Sequence, residues 1–298
     1  TLLTRPRHAE AIRAGGLRVV GLTDAHAHIA AVADLSEVAG AFDCIVLTCK
    51  AHQTGDLAGS VAPRLKPDGV LLSLQNGLGN AEKLRHFLPR DRIAIGLTSH
   101  GVMLEKPGLV RHAGQGATLV GPFAGANEAA ARTAFRVLAQ AGLDPEWHDA
   151  MRGFVWRKAL VNAGINPVGA LHGVKNGEIL KRSELRKLCL GLVGEAEGLA
   201  RLLRVPLPPG DLQQLTITTL ERTALNKCSM LQDVEGKRPT EVEQLTGRLV
   251  RLARGMRAKM PSNDDVYSRL KALEASYLGH DVAAQMASDE MEWEGEPF

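Results

Sequence analysis

The sequence predicts an α/β fold: a parallel-sheet domain over residues 1–149, followed by an all-α domain over residues 150–298. Two observations support this prediction. The first half alternates short apolar runs with helical patterns, which is typical of strand–helix–strand units. From about Asp149 onward the apolar residues recur almost throughout at helical spacing. A chain of 298 residues is long enough for two such domains.

Three apolar runs in the first half predict neighbouring parallel strands, at residues 43–48, 70–74 and 93–97. Each run is continuous and does not alternate with polar residues, which is typical of strands covered on both faces. Helical patterns separate the strands, and a glycine-rich hairpin and an Ala-rich helix follow. The predicted helices cover residues 54–65, 80–88 and 127–141. This order is that of a parallel sheet with crossover helices.

The second half predicts a compact group of five helices, because its periodic segments are long and separated by proline or glycine. Their predicted bounds are residues 151–165, 183–203, 211–230, 240–256 and 266–278. Thr240 and Glu243 have the spacing of a capping box at the start of the fourth helix. Residues after Gly279 are acidic, and we expect this tail to be loosely attached.

Composition excludes several classes of protein. A net charge of +3 and an aromatic content of 4% argue against a nucleic-acid partner. No uncharged apolar run reaches the roughly 18 residues that cross a bilayer, and no signal peptide is apparent, so we expect no membrane partner and a cytoplasmic location. The four cysteines show no metal-ligand spacing and are expected to be reduced and mostly buried. His26 and His28 imitate a metal pair, but the helical second half offers no further ligands, so no metal is expected.

Polar side chains follow the predicted strands at the ends where ligands bind in open parallel sheets. Lys50 comes after the first of the three strands, Asn76 after the second, and His100 after the third. Asn76 could equally belong to a simple Asn-Gly turn, and Lys50 could be a solvated strand end. Their joint placement favours a ligand site.

Arg5 follows a short predicted strand at the very start of the chain. In dinucleotide-binding folds an arginine near the end of the second strand accommodates the 2′-phosphate of NADP. Arg5 suits that role, although a surface arginine before a proline is an equal alternative.

Lys158, Asn162 and Asn166 are spaced four residues apart on an otherwise apolar helix. This spacing places them on one stripe. Because a buried amine or amide without a partner is costly, the stripe needs something to bind. A lysine that snorkels to solvent and two asparagines bonded to neighbouring helices are the alternative. Pro167 should end or kink the helix just after Asn166.

Two further polar groups stand out in the helical half. Asn226 and Ser229 are three residues apart at the end of the third predicted helix, so they should face one way. Glu241 precedes leucines at helical spacing and therefore extends a buried face. A favourable interaction with the helix dipole is the alternative explanation for Glu241.

The motifs together resemble those of the ketopantoate reductase (2-dehydropantoate 2-reductase) family over essentially the whole chain. The segments that carry the resemblance are Leu3-Thr4-Arg5-Pro6, Leu47 to Ala51, Gln75 to Asn80, Trp156 to Pro167, Asn176-Gly177, Ser229 to Asp233 and Thr240-Glu241. The resemblance implies a Rossmann-like first domain that binds NADP, a helical substrate domain, and reduction of a 2-keto acid by NADPH. It leaves open whether the protein is a homodimer.

The resemblance also implies roles for individual residues. It makes Lys158 the catalytic residue. The implied substrate-binding residues are Asn162, Asn166, Asn176, Asn226 and Ser229. The implied cofactor-binding residues are Arg5, Lys50, Asn76 and Glu241.

The chain departs from the family pattern at its start, where the first strand, GxGxxG turn and helix are missing. That turn supplies backbone N–H groups for the pyrophosphate. Because no initiating methionine is present, we expect a longer natural protein. The alternatives are a related 2-keto acid reductase and a non-catalytic ligand-binding protein that has lost the phosphate loop.

Overall fold

A computed structural model describes residues 1–123, 128–279, 282 and 286 of the chain. It divides into two compact units. The first contains residues 1–48, 56–74 and 87–149, and the second contains residues 49–55, 75–86 and 150–298. Two short segments that follow strands of the first unit therefore pack with the helical second unit.

The main sheet of the first unit has five strands in the order β11-β10-β7-β6-β5. Their bounds are β5 Phe42–Leu47, β6 Leu65–Ser73, β7 Ile93–Thr98, β10 Thr118–Pro122 and β11 Glu146–Trp147. The pairs β5–β6 and β6–β7 are parallel, whereas β10 is antiparallel to β7. The three parallel strands predicted from continuous apolar runs are confirmed. Val70 and Leu72 of β6 pack in the core against alanines of α4, Glu128–Gln140.

Two smaller sheets complete the first unit. One pairs β1, Leu2–Leu3, in parallel with β4, Ala31–Val32, and helix α1, Pro6–Gly15, follows β1. The other has the order β3-β2-β9-β8 and includes the predicted hairpin. Its strands are β2 Leu17–Gly21, β3 Ala25–Ala27, β8 Gly101–Lys106 and β9 Leu109–Gly114. Residue 127, the predicted start of the Ala-rich helix, lies outside the described residues, as does most of the acidic tail.

Helices form the second unit around one apolar core. They are α3 Asn80–Leu84, α5 Met151–His172, α6 Asn176–Lys181, α7 Ser183–Leu202, α8 Leu212–Arg222, α9 Ser229–Glu235, α10 Arg248–Gly255 and α11 Pro261–Leu278. Helix α2, Thr54–Val61, begins in the second unit and continues in the first. Leu160, Leu192 and Leu249 are fully buried where α5, α7 and α10 meet the core. The predicted α/β fold followed by a helical half is confirmed.

One predicted helix is wrong. Within the predicted helix over residues 211–230, α8 ends at Arg222 and α9 begins only at Ser229, after a connection at residues 223–228. The Sγ atom of Cys228 accepts the Leu231 N–H at 3.4 Å and so begins α9 in the way an N-cap does. A cap made by cysteine is not visible in a sequence pattern, so the break was missed.

Two local expectations also need correction. The predicted end of the first helix at residue 165 is wrong, because α5 continues past Pro167 to His172. A proline removes one helical hydrogen bond, and here Pro167 and the following Val168 are buried in the core, which favours continuation. The capping box is wrong, because Glu243 bonds Arg251 and the Thr240 N–H donates to Glu274.

The region predicted as the fourth helix begins with a π-helical turn, Glu243–Gly247, which leads into α10. Such turns often occur at functional sites.

No helix among the described residues is long and apolar enough to cross a membrane. All four cysteines are free thiols, Cys189 and Cys228 buried and Cys44 and Cys49 half-buried, as expected.

Candidate active site

Helix α5 presents the predicted polar stripe. Lys158, Asn162 and Asn166 are each half-buried, whereas the intervening residues Ala159 to Val161 and Ala163 to Ile165 are buried. The helical spacing therefore places these three side chains on a half-buried face of α5. A stripe of this kind, with one amine and two amides, can bind a carboxylate and a carbonyl oxygen.

A small pocket lies against this stripe within the second unit. It is lined by Asn76, Gly77, Asn162, Asn166, Ser229, Met230, Asp233, Glu241 and Leu245. Its empty space amounts to about 290 Å³, including the part open to solvent. The pocket brings together five side chains that the sequence singled out, namely Asn76, two asparagines of α5, Ser229 and Glu241.

Glu241 reaches this pocket from an irregular segment and not from a helix. Its Oε1 atom accepts the backbone N–H of Ala51 at 3.2 Å, and its Oε2 atom lies 4.0 Å from the amine of Lys50. The carboxylate is therefore held by residues that follow β5 in the chain. The leucine spacing predicted a buried, helical position for Glu241; its side chain is largely buried, at 13% exposure, but the helical conformation is wrong.

The segment with Lys50 and Ala51 is in turn fixed by residues that follow β6. The hydroxyl of Thr54 donates to Asn80 Oδ1 at 3.0 Å and accepts from Gln75 Nε2 at 2.8 Å. Lys83 donates from its amine to the Ala51 carbonyl at 3.3 Å. These buried bonds join the two strand-end segments into one support for the pocket.

Gly77 allows this support to approach the π-helical turn. Its φ is +88°, and a Cβ atom there would lie 3.1 Å from both the Cβ and the carbonyl oxygen of Gln244. The next residue, Leu78, donates its N–H to the Gln244 carbonyl at 2.9 Å. A glycine is favoured because a side chain would be strained at this positive φ and would crowd Gln244. The Gly77-Leu78-Gly79 sequence thus has a packing role.

Asp233 is a site residue that the sequence reasoning missed. It lies in the pocket, is 4% exposed, and accepts a hydrogen bond from the amine of Lys50 at 2.5 Å. Arg238 also donates to it, at 3.2 Å. A buried carboxylate needs such cationic partners. Asp233 belongs to the sequence motif that begins at Ser229. An acidic residue near a helix end is common, so sequence alone does not mark it as a site residue.

Burial and charge shift two ionisable groups at this site. Burial lowers the pKa of Lys158 to about 8, although the negative charge of Glu241 opposes the shift. Burial also raises the pKa of Glu241, against the effect of Lys50 and of the Ala51 N–H. An amine with a pKa of about 8 is largely protonated at physiological pH and can donate its proton there.

Two residues that the resemblance assigns to the substrate, Asn176 and Asn226, are bonded to each other through their backbones. Asn176 is buried, donates from Nδ2 to the Thr223 hydroxyl at 2.8 Å, and donates its backbone N–H to the Asn226 carbonyl at 3.0 Å. Asn226 is exposed in the connection between α8 and α9. Neither of them lines the pocket. The structure thus brings Asn176 and Asn226 together, and their role at the substrate stays a prediction.

Arg5 belongs to the first unit and is exposed where β1 ends and α1 begins. Arg7, also exposed, lies in the first turn of the same helix.

Among the residues that the structure describes, no group of three or more His, Cys, Asp or Glu side chains could hold a metal ion.

Comparison with known proteins identifies the class of enzyme. Residues 1–125 match the family described as Ketopantoate reductase PanE/ApbA, and residues 150–274 match its C-terminal part. A 2-dehydropantoate 2-reductase of Pyrococcus horikoshii is 34% identical over 92% of this chain and 89% of that protein. One of Halobacterium salinarum is 35% identical over 83% and 81%.

The chain therefore belongs to the ketopantoate reductase family, whose members are oxidoreductases that use a nicotinamide cofactor, NADPH. Solved structures agree. A PanE/ApbA family ketopantoate reductase from Ralstonia eutropha has a TM-score of 0.84 at 26% identity, over 93% of this chain and 91% of that one. D-mandelate dehydrogenase with NADH and anilino(oxo)acetate has 0.83 at 27%, over 91% and 89%.

Proposed function

We propose that the protein reduces 2-dehydropantoate (ketopantoate) to (R)-pantoate with NADPH, and that Lys158 donates the proton. The observation that carries this proposal is an amine with a pKa of about 8 on the same half-buried stripe as two asparagines that line a pocket with Glu241. Hydride transfer to a ketone produces an alkoxide, whose oxygen needs a proton donor within hydrogen-bond distance. The names of the relatives supply the substrate.

Lys158, the pocket residues and the two further asparagines have distinct tasks in this reaction. Lys158 in its protonated form stabilises and then protonates the developing alkoxide. Asn162, Asn166 and Ser229 donate hydrogen bonds to the carboxylate and hydroxyl of the substrate. Asn176 and Asn226, which the resemblance adds to this group, have the side-chain chemistry for the same task. Glu241 orients the substrate hydroxyl and keeps Lys158 cationic through its negative charge.

The cofactor would be held by residues whose chemistry suits it. When bound, NADPH supplies the hydride. Arg5 and Arg7 present two exposed cations at the carboxyl end of β1, which is a donor set that suits a phosphate monoester. Lys50 and Asn76 follow β5 and β6, the ends at which open parallel sheets bind ligands. In this proposal residues 1–149 form the NADP-binding domain and residues 150–298 the substrate domain.

The proposal is tested by turnover with purified protein. We expect NADPH-dependent loss of 2-dehydropantoate and formation of (R)-pantoate, followed by the decrease in NADPH absorbance and by chiral analysis of the product. Branched 2-keto acids without the hydroxyl serve as comparison substrates. Absence of turnover with every 2-keto acid would favour the non-catalytic binding protein instead.

A second candidate is a reductase for a different 2-keto acid. The specific observation in its favour is the similarity to D-mandelate dehydrogenase, whose solved structure contains anilino(oxo)acetate, an aromatic oxo acid. Benzoylformate is therefore included among the substrates. A kcat/KM for benzoylformate above that for 2-dehydropantoate would select this candidate.

A further inference from the structure

A buried group of polar side chains lies beside the irregular segment that carries Glu241. Thr240 donates both its backbone N–H and its hydroxyl to Oε1 of Glu274 on α11, at 2.8 and 2.7 Å. The same hydroxyl accepts the Val242 N–H at 3.2 Å. The Thr240 hydroxyl thereby links Glu274 to the backbone of Val242, so the backbone is held on both sides of Glu241. Because Thr240 is 0% and Glu274 1% exposed, water cannot replace these bonds.

A second carboxylate fixes the other end of the segment. Glu243 accepts from Arg251 Nη1 at 2.8 Å and from the Tyr267 hydroxyl at 3.0 Å. Lys271 joins both carboxylates, since its amine lies 2.9 Å from Glu243 and 3.3 Å from Glu274. Residues 240 and 243 are thus anchored by side chains of α10 and α11, and Glu241 lies between them.

Glu241 needs such anchors for a physical reason. It lies in a bend and not in a helix, so no regular backbone hydrogen bonds hold it in place. Burial of its carboxylate is unfavourable, as its raised pKa shows, and an unanchored segment would relax toward solvent. The carboxylate nevertheless remains close enough to Lys158 to affect its pKa.

We propose that Thr240 and Glu274 are positioning residues of the active site, whose paired hydrogen bonds hold Glu241 beside Lys158 and the substrate pocket. The proposal rests on the proposed function for the role of Glu241 in reduction. The hydrogen bonds themselves do not depend on the identity of the substrate. This difference allows the two proposals to be tested apart.

The test compares three variants of buried threonines. Thr240→Val keeps the shape of the side chain but removes the hydroxyl, and Thr240→Ser keeps the hydroxyl. Thr216→Val is the matched control: Thr216 on α8 is also 0% exposed, and its hydroxyl donates to the Leu212 carbonyl at 2.7 Å. Thermal unfolding of each variant separates a loss of stability from a loss of position.

Two readouts are measured. The first is kcat/KM for 2-dehydropantoate, which Thr240→Val should lower about 10- to 100-fold, since a displacement of about 1 Å can cost about 100-fold. Thr240→Ser and Thr216→Val should retain kcat/KM within a few-fold. The second is the pKa of Lys158, followed by NMR after ¹³C-methylation of the lysines. Thr240→Val should lower this pKa because the carboxylate that opposes the effect of burial is less well held.

The second readout does not require activity. If the wild type reduces no 2-keto acid, the proposed function fails, and the titration of Lys158 alone decides the positioning role. An unchanged pKa of Lys158 in Thr240→Val overturns the proposal, as does an equal loss of kcat/KM in Thr216→Val. Should Thr240→Val fail to fold, Glu274→Gln replaces it. The amide has the same size but is a weaker acceptor, so the pKa of Lys158 should fall in the same direction.

Discussion

Helix α5 and the segment of residues 236–242 bring opposite charges to the same site by different means. Lys158 lies on a regular helix of 22 residues, whose backbone bonds fix its direction. Glu241 lies in an irregular segment, where the Ala51 N–H bonds its carboxylate and Glu274 bonds the backbone N–H of the preceding residue, Thr240. The amine should therefore keep its place when a single neighbour changes, whereas the carboxylate should not. Substitutions on α5 and near Glu241 test whether the amine keeps its position and the carboxylate does not.

The largest effect is expected from removal of the amine itself. Lys158→Ala should lower kcat about 10²–10⁴-fold, because general acid catalysis contributes this much, and NADPH affinity should be nearly unchanged. Single-turnover kinetics and cofactor fluorescence titration measure the two quantities. Lys187→Ala, an exposed lysine on α7, is the control for loss of a positive charge. Undiminished turnover of Lys158→Ala would contradict the assignment of the proton donor.

The amides of the same helix should affect binding more than chemistry. Asn162→Ala should raise KM for the keto acid about 10- to 100-fold, since a hydrogen bond to a charged group is worth about 1.5–3 kcal/mol. Asn176→Ala offers the comparison, because Asn176 is bonded to Thr223 and does not line the pocket. A larger rise in KM for Asn176→Ala than for Asn162→Ala would show that the family role of Asn176 outweighs its placement in this structure.

A smaller effect is expected at Arg5, an exposed cation at the start of α1 in the first unit. Arg5→Ala should weaken NADPH binding roughly 10- to 100-fold, since charge-assisted bonds to a phosphate contribute about 1.5–3 kcal/mol. NADH lacks the 2′-phosphate, so its binding should hardly change, and it serves as the internal control. Dissociation constants from fluorescence titration check both. An equal loss for the two cofactors would show that Arg5 does not recognise the 2′-phosphate.

The regular parts of the fold and site were the predictable ones. Continuous apolar runs predicted β5, β6 and β7 to within a few residues at most ends, and helical spacing predicted the stripe on α5. These patterns follow from the fixed periods of strands and helices. Two of the stripe residues line a pocket with Asn76, Ser229 and Glu241, and ligand binding by the stripe stays a prediction.

The irregular parts could not be predicted for an equally physical reason. Asp233 and the anchoring of Glu241 depend on contacts between residues far apart in the chain, such as Lys50 with Asp233 across 183 positions. The break before α9 depends on a cysteine that caps a helix, and α5 passes through Pro167 because the surrounding core outweighs one lost hydrogen bond. Local periodicity contains none of this information.

The pH dependence of kcat/KM should depend on both Lys158 and Glu241. Reduction requires Lys158 to be protonated, so kcat/KM should be level below its pKa of about 8 and fall about tenfold per pH unit above it. Glu241 opposes the effect of burial, so Glu241→Gln should move this decline to lower pH and reduce activity several-fold near neutrality. Steady-state rates between pH 6 and pH 10, with the wild type as control, measure the shift. A decline at unchanged or higher pH in Glu241→Gln would mean that the carboxylate does not act on the amine.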